Sequence, residues 1–170
     1  MDIPHAASGD RQPVASEIRD TLLEPFIAAT RTALAEMAGT EMVVQAVYRQ
    51  TTPVEMGDIA AAVRLTSASE GLLLFIFPKG TAKALAGRIL VGSAVQVDEN
   101  LVRDCVGEIA NVVAGQAKAL LAGGPHRLAF AMPPVVATVN ELRPQSSQDC
   151  LVIALRCDAG EFAMELFLNL

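Results

Sequence analysis

The chain runs twice through one order of patterns: a long helical stretch, then three short apolar segments of strand character. Such a doubling narrows the choice of folds more than any single motif, because each half must bury its apolar faces against the other. From Ser16 to Met37 the residues Ile18, Leu22, Phe26, Ile27, Leu34 and Met37 recur at helical spacing. Pro25 lies inside this stretch and predicts either two segments or a kinked helix, and Gly39 predicts its end. Strands are predicted at Met42–Arg49, Ile59–Thr66 and Gly71–Phe77, the last two joined as a hairpin by Ala68, Ser69 and Glu70. Pro78 ends the third strand, and Thr81–Leu90 reads as a short helix. Asp98 is a good N-cap for a helix to about Leu121, where Gly123, Gly124 and Pro125 stop it. Strands follow at Val135–Leu142, Cys150–Cys157 and Phe162–Leu168, the last two linked by the turn Asp158-Ala159-Gly160.

The period is about 85 residues. The predicted fold class is therefore α+β, an alpha-beta sandwich. Two αβββ units, about 14–91 and 98–170, are related by a pseudo-twofold, with the long helices packed on the sheet. Residues 14–170 make one domain, and the polar residues 1–13 read as a flexible leader. A chain of this length buries roughly 70% of the surface its unfolded form exposes, so neither disulfides nor a metal is required to hold it together.

Charge and composition exclude several functions. The net charge is -6 with no basic run, and aromatic residues make up 4% of the chain with no Trp. Nucleic-acid binding calls for Lys/Arg clusters and stacking aromatics, and an anionic membrane surface repels an acidic protein. The cysteines Cys105, Cys150 and Cys157 form no CxxC pair and suit a reducing compartment. The longest apolar run, Gly71 to Phe77, is far below the roughly 20 residues that span a bilayer. The N-terminus has no apolar signal core. These features predict a cytoplasmic protein.

The helix from Asp98 to Leu121 carries the chemistry. With residues set about 100° apart, Leu101, Val102, Cys105, Val106, Ile109, Val112, Val113 and Leu120 fall within roughly 0–140° and form the predicted buried face. Asp104, Glu108, Asn111 and Gly115 form one stripe outside it, with Lys118 and Asn100 close by. A polar stripe is ordinarily a solvated helix face. Two residues count against that reading, since Asn is a mediocre helix former and Gly costs about 1 kcal/mol relative to Ala. Gly115 also leaves a bald spot one turn from Asn111, where another protein surface can approach or where the helix can pack closely on its long neighbour.

The stretch Asp104-Cys-Val-Gly107-Glu108-Ile-Ala-Asn111-Val-Val-Ala-Gly115-Gln-Ala-Lys118 resembles the ExxN phosphatase helix of the CheC/CheX family. Phe26–Met37 is similar to that family's first helix, Gly71–Pro78 to its apolar strand, and Ala131-Met-Pro-Pro-Val-Val136 to the strand entry after the active helix. CheC-type members carry the motif in both halves. Here Phe26–Met37 contains none, which points to the CheX type. The resemblance implies a phosphatase that hydrolyses the acyl phosphate of a phosphorylated CheY-like response regulator. Asn111 would orient the attacking water and Glu108 would pair with the receiver's active-site Lys. On the same stripe Asp104, Gly115 and Lys118 are the candidate partner-binding positions, and Asp104 suits a solvated face equally well. No cofactor of its own is implied, because the receiver brings Mg²⁺, and the family implies a homodimer joined through its sheets.

Other chemistries fail on residue supply. His5 and His126 are the only histidines and are far apart in sequence, so both read as exposed loop residues and no metal site or His-based triad is expected. No GxxxxGK or GxGxxG is present. Cys105 lies on the apolar arc and suits packing, and Lys118 suits the negative end of the helix dipole. The alternative function is a non-catalytic interaction module of the kind found in the middle domain of the flagellar switch protein FliM, binding a receiver or a switch protein. A pure binder has no use for Asn at i+3 from Glu. A small-molecule sensor is the least supported reading, since no sequence feature marks a pocket.

Overall fold

In the computed structural model, which describes residues 11–51, 57–67, 71–90, 96–144 and 149–168, six strands form one antiparallel sheet. In chain order they are β1 (Met42–Gln50), β2 (Ile59–Leu65), β3 (Gly71–Phe77), β4 (Phe130–Thr138), β5 (Cys150–Cys157) and β6 (Gly160–Leu168). Their spatial order is β1-β5-β6-β3-β2-β4. Exchanging β1 with β4, β2 with β5 and β3 with β6 reverses that order and restores the same sheet. The pseudo-twofold predicted from the repeat therefore passes between β3 and β6, which pair antiparallel from Gly71↔Leu168 to Ile76↔Ala163.

Burial explains the strand sequences. Side chains alternate between faces along a strand. Leu73, Phe75 and Phe77 of β3 join Ile153, Phe162 and Met164 in the main core under the long helices. Leu74 and Ile76 join Tyr48, Val152 and Phe167 in a second cluster on the opposite face. A central strand buried on both faces reads as a continuous apolar run rather than an alternation, as Gly71–Phe77 does. Phe77 and Phe162 stack across the pseudo-twofold at 5.3 Å.

The helical layer holds α2 (Glu24–Ala38), α3 (Lys79–Ile89) and α4 (Glu99–Leu121). Ahead of α2 lie α1 (Ser16–Ile18) and a π-helical turn at Arg19–Leu23. The expected break at Pro25 thus takes the form of a widened turn just before it, with Pro25 in the first turn of α2, where its missing N–H costs nothing. Gly39 closes α2 in the left-handed region at φ 59°. Ordered packing begins before residue 14: Gln12 and Arg49 exchange backbone hydrogen bonds of 2.8 Å, and the Arg11 guanidinium lies 4.3 Å over the Tyr48 ring. Residues 1–10, including His5, and the expected turn at Ala68–Glu70 lie outside the described residues.

One predicted strand differs. Val135–Leu142 was expected to be extended throughout, whereas β4 starts at Phe130 and ends at Thr138, and α5 (Val139–Leu142) follows. Thr138 and Glu141 form a capping box, each side chain accepting from the other's backbone N–H. That local signal outweighs the β-branched run. Pro133 and Pro134 are tolerated because β4 is an edge strand. α5 covers part of the second face, and Arg143 just after it pairs at 3.0 Å with Glu165, which is completely buried in β6.

Candidate functional site on helix α4

Helix α4 starts where Asp98 Oδ1 accepts the Leu101 N–H at 2.9 Å. It lies in the helical layer against α2, α3, β2 and β4. Cys105, Val106, Ile109, Ala110, Val113, Ala114, Ala117 and Leu121 are its buried residues. The buried arc is thus rotated by roughly 60° from the expected one. Leu120 is 54% exposed, and Leu101, Val102 and Val112 are only partly buried. Three alanines face inward instead, and α2 presents Ala29 and Ala33 among its own buried residues. Small side chains let two helices approach closely but carry little weight in a hydrophobic pattern.

The polar stripe survives that rotation. Asp104, Glu108, Asn111, Gly115 and Lys118 are all exposed, in steps of three or four residues, along about 21 Å of helix axis. Glu108 and Asn111 are one turn apart, with Cβ atoms about 5–6 Å from each other. Among the described residues neither side chain has a hydrogen-bond or ion-pair partner within the chain. A carboxylate and an amide therefore stand free on a rigid support.

The two central glycines of α4 differ. A Cβ on Gly115 would meet nothing within 4 Å, so Gly115 does not serve close packing on the neighbouring long helix. A Cβ on Gly107 would come within 3.2 Å of Val136 Cγ2. Gly107 is where α4 crosses β4 closely, a role the sequence pattern did not distinguish.

Cys105, one turn before Glu108, is buried. Burial, and then the Asp104 carboxylate, push its thiol above the ordinary range, so it stays protonated and unreactive at neutral pH. His126 is half-buried rather than loop-exposed, and its Nε2 lies 3.1 Å from Thr21 Oγ1, tying the loop after α4 to the π-helical turn. On α2, Thr30 is wholly buried and donates to the Phe26 carbonyl at 2.7 Å, whereas Arg31 is exposed. Among the described residues no group of three or more His, Cys, Asp or Glu converges on a common point, and no helix is long and apolar enough to cross a membrane.

The antiparallel sheet with its single helical layer is a CheC/CheX-like fold. The family model described as chemotaxis phosphatase CheX matches residues 59–156, which include all of α4. The chain belongs to the CheX family. It is similar to the crystal structure of a chemotaxis protein CheX from Desulfovibrio desulfuricans, with 28% identity and a TM-score of 0.76 over 90% of this chain and 99% of that one. It is also similar to the chemotaxis protein CheX from Vibrio vulnificus, with 25% identity and a TM-score of 0.71 over 86% and 95%. A CheX–CheY–BeF3–Mg²⁺ complex from Borrelia burgdorferi shares the fold at 17% identity, with a TM-score of 0.65 over 87% and 97%. No curated protein matches the chain by sequence.

Proposed function

We propose that this chain is a cytoplasmic phosphatase of phosphorylated CheY-type receivers, with Asn111 as the catalytic residue and Glu108 as the docking anchor. The observation that carries this reading is the exposed, uncommitted Glu108–Asn111 pair on a helix otherwise fixed by its buried face. Phosphoryl transfer needs little covalent help from a protein; it needs positioning and charge stabilisation. The receiver supplies Mg²⁺ and a Lys beside its phospho-aspartate. What remains is to hold a water in line with the phosphorus. The Asn111 amide has an acceptor and two donors, enough to orient that water while facing the phosphoryl oxygens. Attack forms the new P–O bond and breaks the acyl P–O bond, returning the Asp carboxylate and releasing inorganic phosphate with the proton of the water.

Glu108 would meet the receiver's Lys. An exposed pair of this kind contributes about 0–1 kcal/mol, but once desolvated in an interface the loss of one partner can cost about 2–5 kcal/mol. Asp104, Gly115 and Lys118 extend the contact along the same line. The Borrelia complex contains a CheX together with CheY, BeF3 and Mg²⁺, and this supports a receiver as the partner. A homodimer through a sheet edge completes the proposal. The outermost strands are β1 and β4, and β4 exposes Met132 and Val135. Phosphate release from a panel of phosphorylated receivers, with and without this protein, tests the function. Acceleration with at least one receiver is expected, and none across a panel drawn from the same genome refutes it. A monomer by light scattering at assay concentration would refute the dimer alone.

A further inference from the structure

We propose that the cleft at the N-terminal end of α4 is a binding site for a small organic anion with an apolar body, separate from the Glu108–Asn111 pair and independent of the phosphatase reading. The cleft has a volume of about 540 Å³ and is formed where α3, α4 and the ends of β2 and β4 meet. That volume lies within the range of sites that enclose small ligands. Ile59, Val97, Val102 and Ala137 supply an apolar wall. Lys79, Lys83 and Arg103 stand at its rim with Asp58, Asp98 and Glu99.

Three carboxylates balance the three cations in number, but each carboxylate is engaged by a neighbouring group. Asp58 Oδ2 accepts the Lys79 backbone N–H at 2.8 Å, and Asp98 Oδ1 accepts that of Leu101 at 2.9 Å, so both carboxylates are occupied as helix caps. Glu99 pairs with the Lys79 ammonium at 3.3 Å. Lys83 and Arg103 are left without a counterion among the described residues, although acidic side chains outnumber basic ones by 19 to 13 in the chain. Two cations held in no ion pair beside an apolar hollow fit a carboxylate, sulfonate or phosphate joined to a ring or short alkyl body. Arginine offers a planar fork to such a group, and lysine a mobile point charge. The four lining elements are far apart in sequence, so no motif announces the cleft.

The test uses the full chain, labelled with ¹⁵N, titrated with 2-naphthoate as probe, 2-naphthamide as its neutral counterpart, and inorganic phosphate as charge without an apolar body. Naphthoate should shift the amides of Ile59, Val102, Arg103 and Ala137 saturably, and bind at least about tenfold more tightly than either control. The double variant Lys83→Gln/Arg103→Gln should lose about tenfold in naphthoate affinity while its melting temperature is unchanged, since both side chains are exposed. Naphthamide binding as tightly as naphthoate, saturable shifts elsewhere only, no saturation at millimolar probe, or undiminished binding by the double variant would each overturn the proposal. A site that responds only to a receiver's acidic surface, and not to naphthoate, would do so as well.

Discussion

The two glycines of α4 give opposite expectations that one pair of substitutions can separate. Gly115 is exposed, has helical neighbours on both sides, and would place a Cβ in open space. Replacing it with Ala removes the entropic penalty of a mid-helix glycine and should stabilise by up to about 1 kcal/mol. Over 170 residues, an unfolding entropy of about 2.1 cal/mol/K per residue converts this to a rise of about 2–3 °C in melting temperature. Gly107→Ala gains the same propensity, but its Cβ stands 3.2 Å from Val136 Cγ2, so that side chain must yield by a few tenths of an ångström. Its melting temperature should fall below that of Gly115→Ala by at least about 2 °C, because overpacking consumes the gain. Calorimetric unfolding of both variants at one pH decides the order. Gly115→Leu should likewise keep or raise the melting temperature, yet reduce phosphatase turnover sharply, because the side chain stands in the docking line. Loss of stability in Gly115→Ala, or full activity in Gly115→Leu, would refute the reading of Gly115 as a docking surface.

Further outcomes follow from the second face and from α2. Arg143→Ala removes the cation that faces the fully buried Glu165 carboxylate and should lower stability in denaturant unfolding, whereas the double change Arg143→Leu/Glu165→Leu should recover most of the loss. The buried Cys150 thiol is pushed up to about 12, first by burial and then by Glu165. Its native pKa lies above its unfolded one, so this contribution is fully present below pH ~9 and is lost as pH rises toward about 12. Cys150→Ala should therefore flatten the alkaline fall in melting temperature, and an unchanged slope would count against the assignment. Arg31→Ala, exposed on α2, should leave dephosphorylation unchanged, and a large loss of turnover at normal stability would reveal a second site there.

Periodicity carried most of the architecture. The six strands, the two long helices, the short one between them and the pseudo-twofold follow from apolar spacing and from the stops at Gly39, Pro78 and Gly123. Misreadings arose where a short-range signal competed with a longer pattern. The Thr138–Glu141 capping box converts the end of an apparent strand into a helical turn. The inward face of α4 departs from its hydrophobic pattern because Ala110, Ala114 and Ala117 bury fully yet weigh little, while Leu120 weighs much and is exposed in the last turn. The polar stripe was legible because it depends only on helical spacing. The buried Arg143–Glu165 pair and the α4 cleft were not, because each joins elements distant in sequence.

The most direct measurement follows phosphate release from a pre-phosphorylated receiver in a single turnover, for the wild type, Asn111→Ala and Glu108→Lys, alongside affinity for a BeF3-activated receiver. If Asn111 orients the water, Asn111→Ala abolishes the rate enhancement while affinity stays within a few fold. Glu108→Lys should instead lose affinity, because it sets a cation against the receiver's Lys. Wild-type rates in both variants would contradict the assignment of this helix face as the phosphatase site.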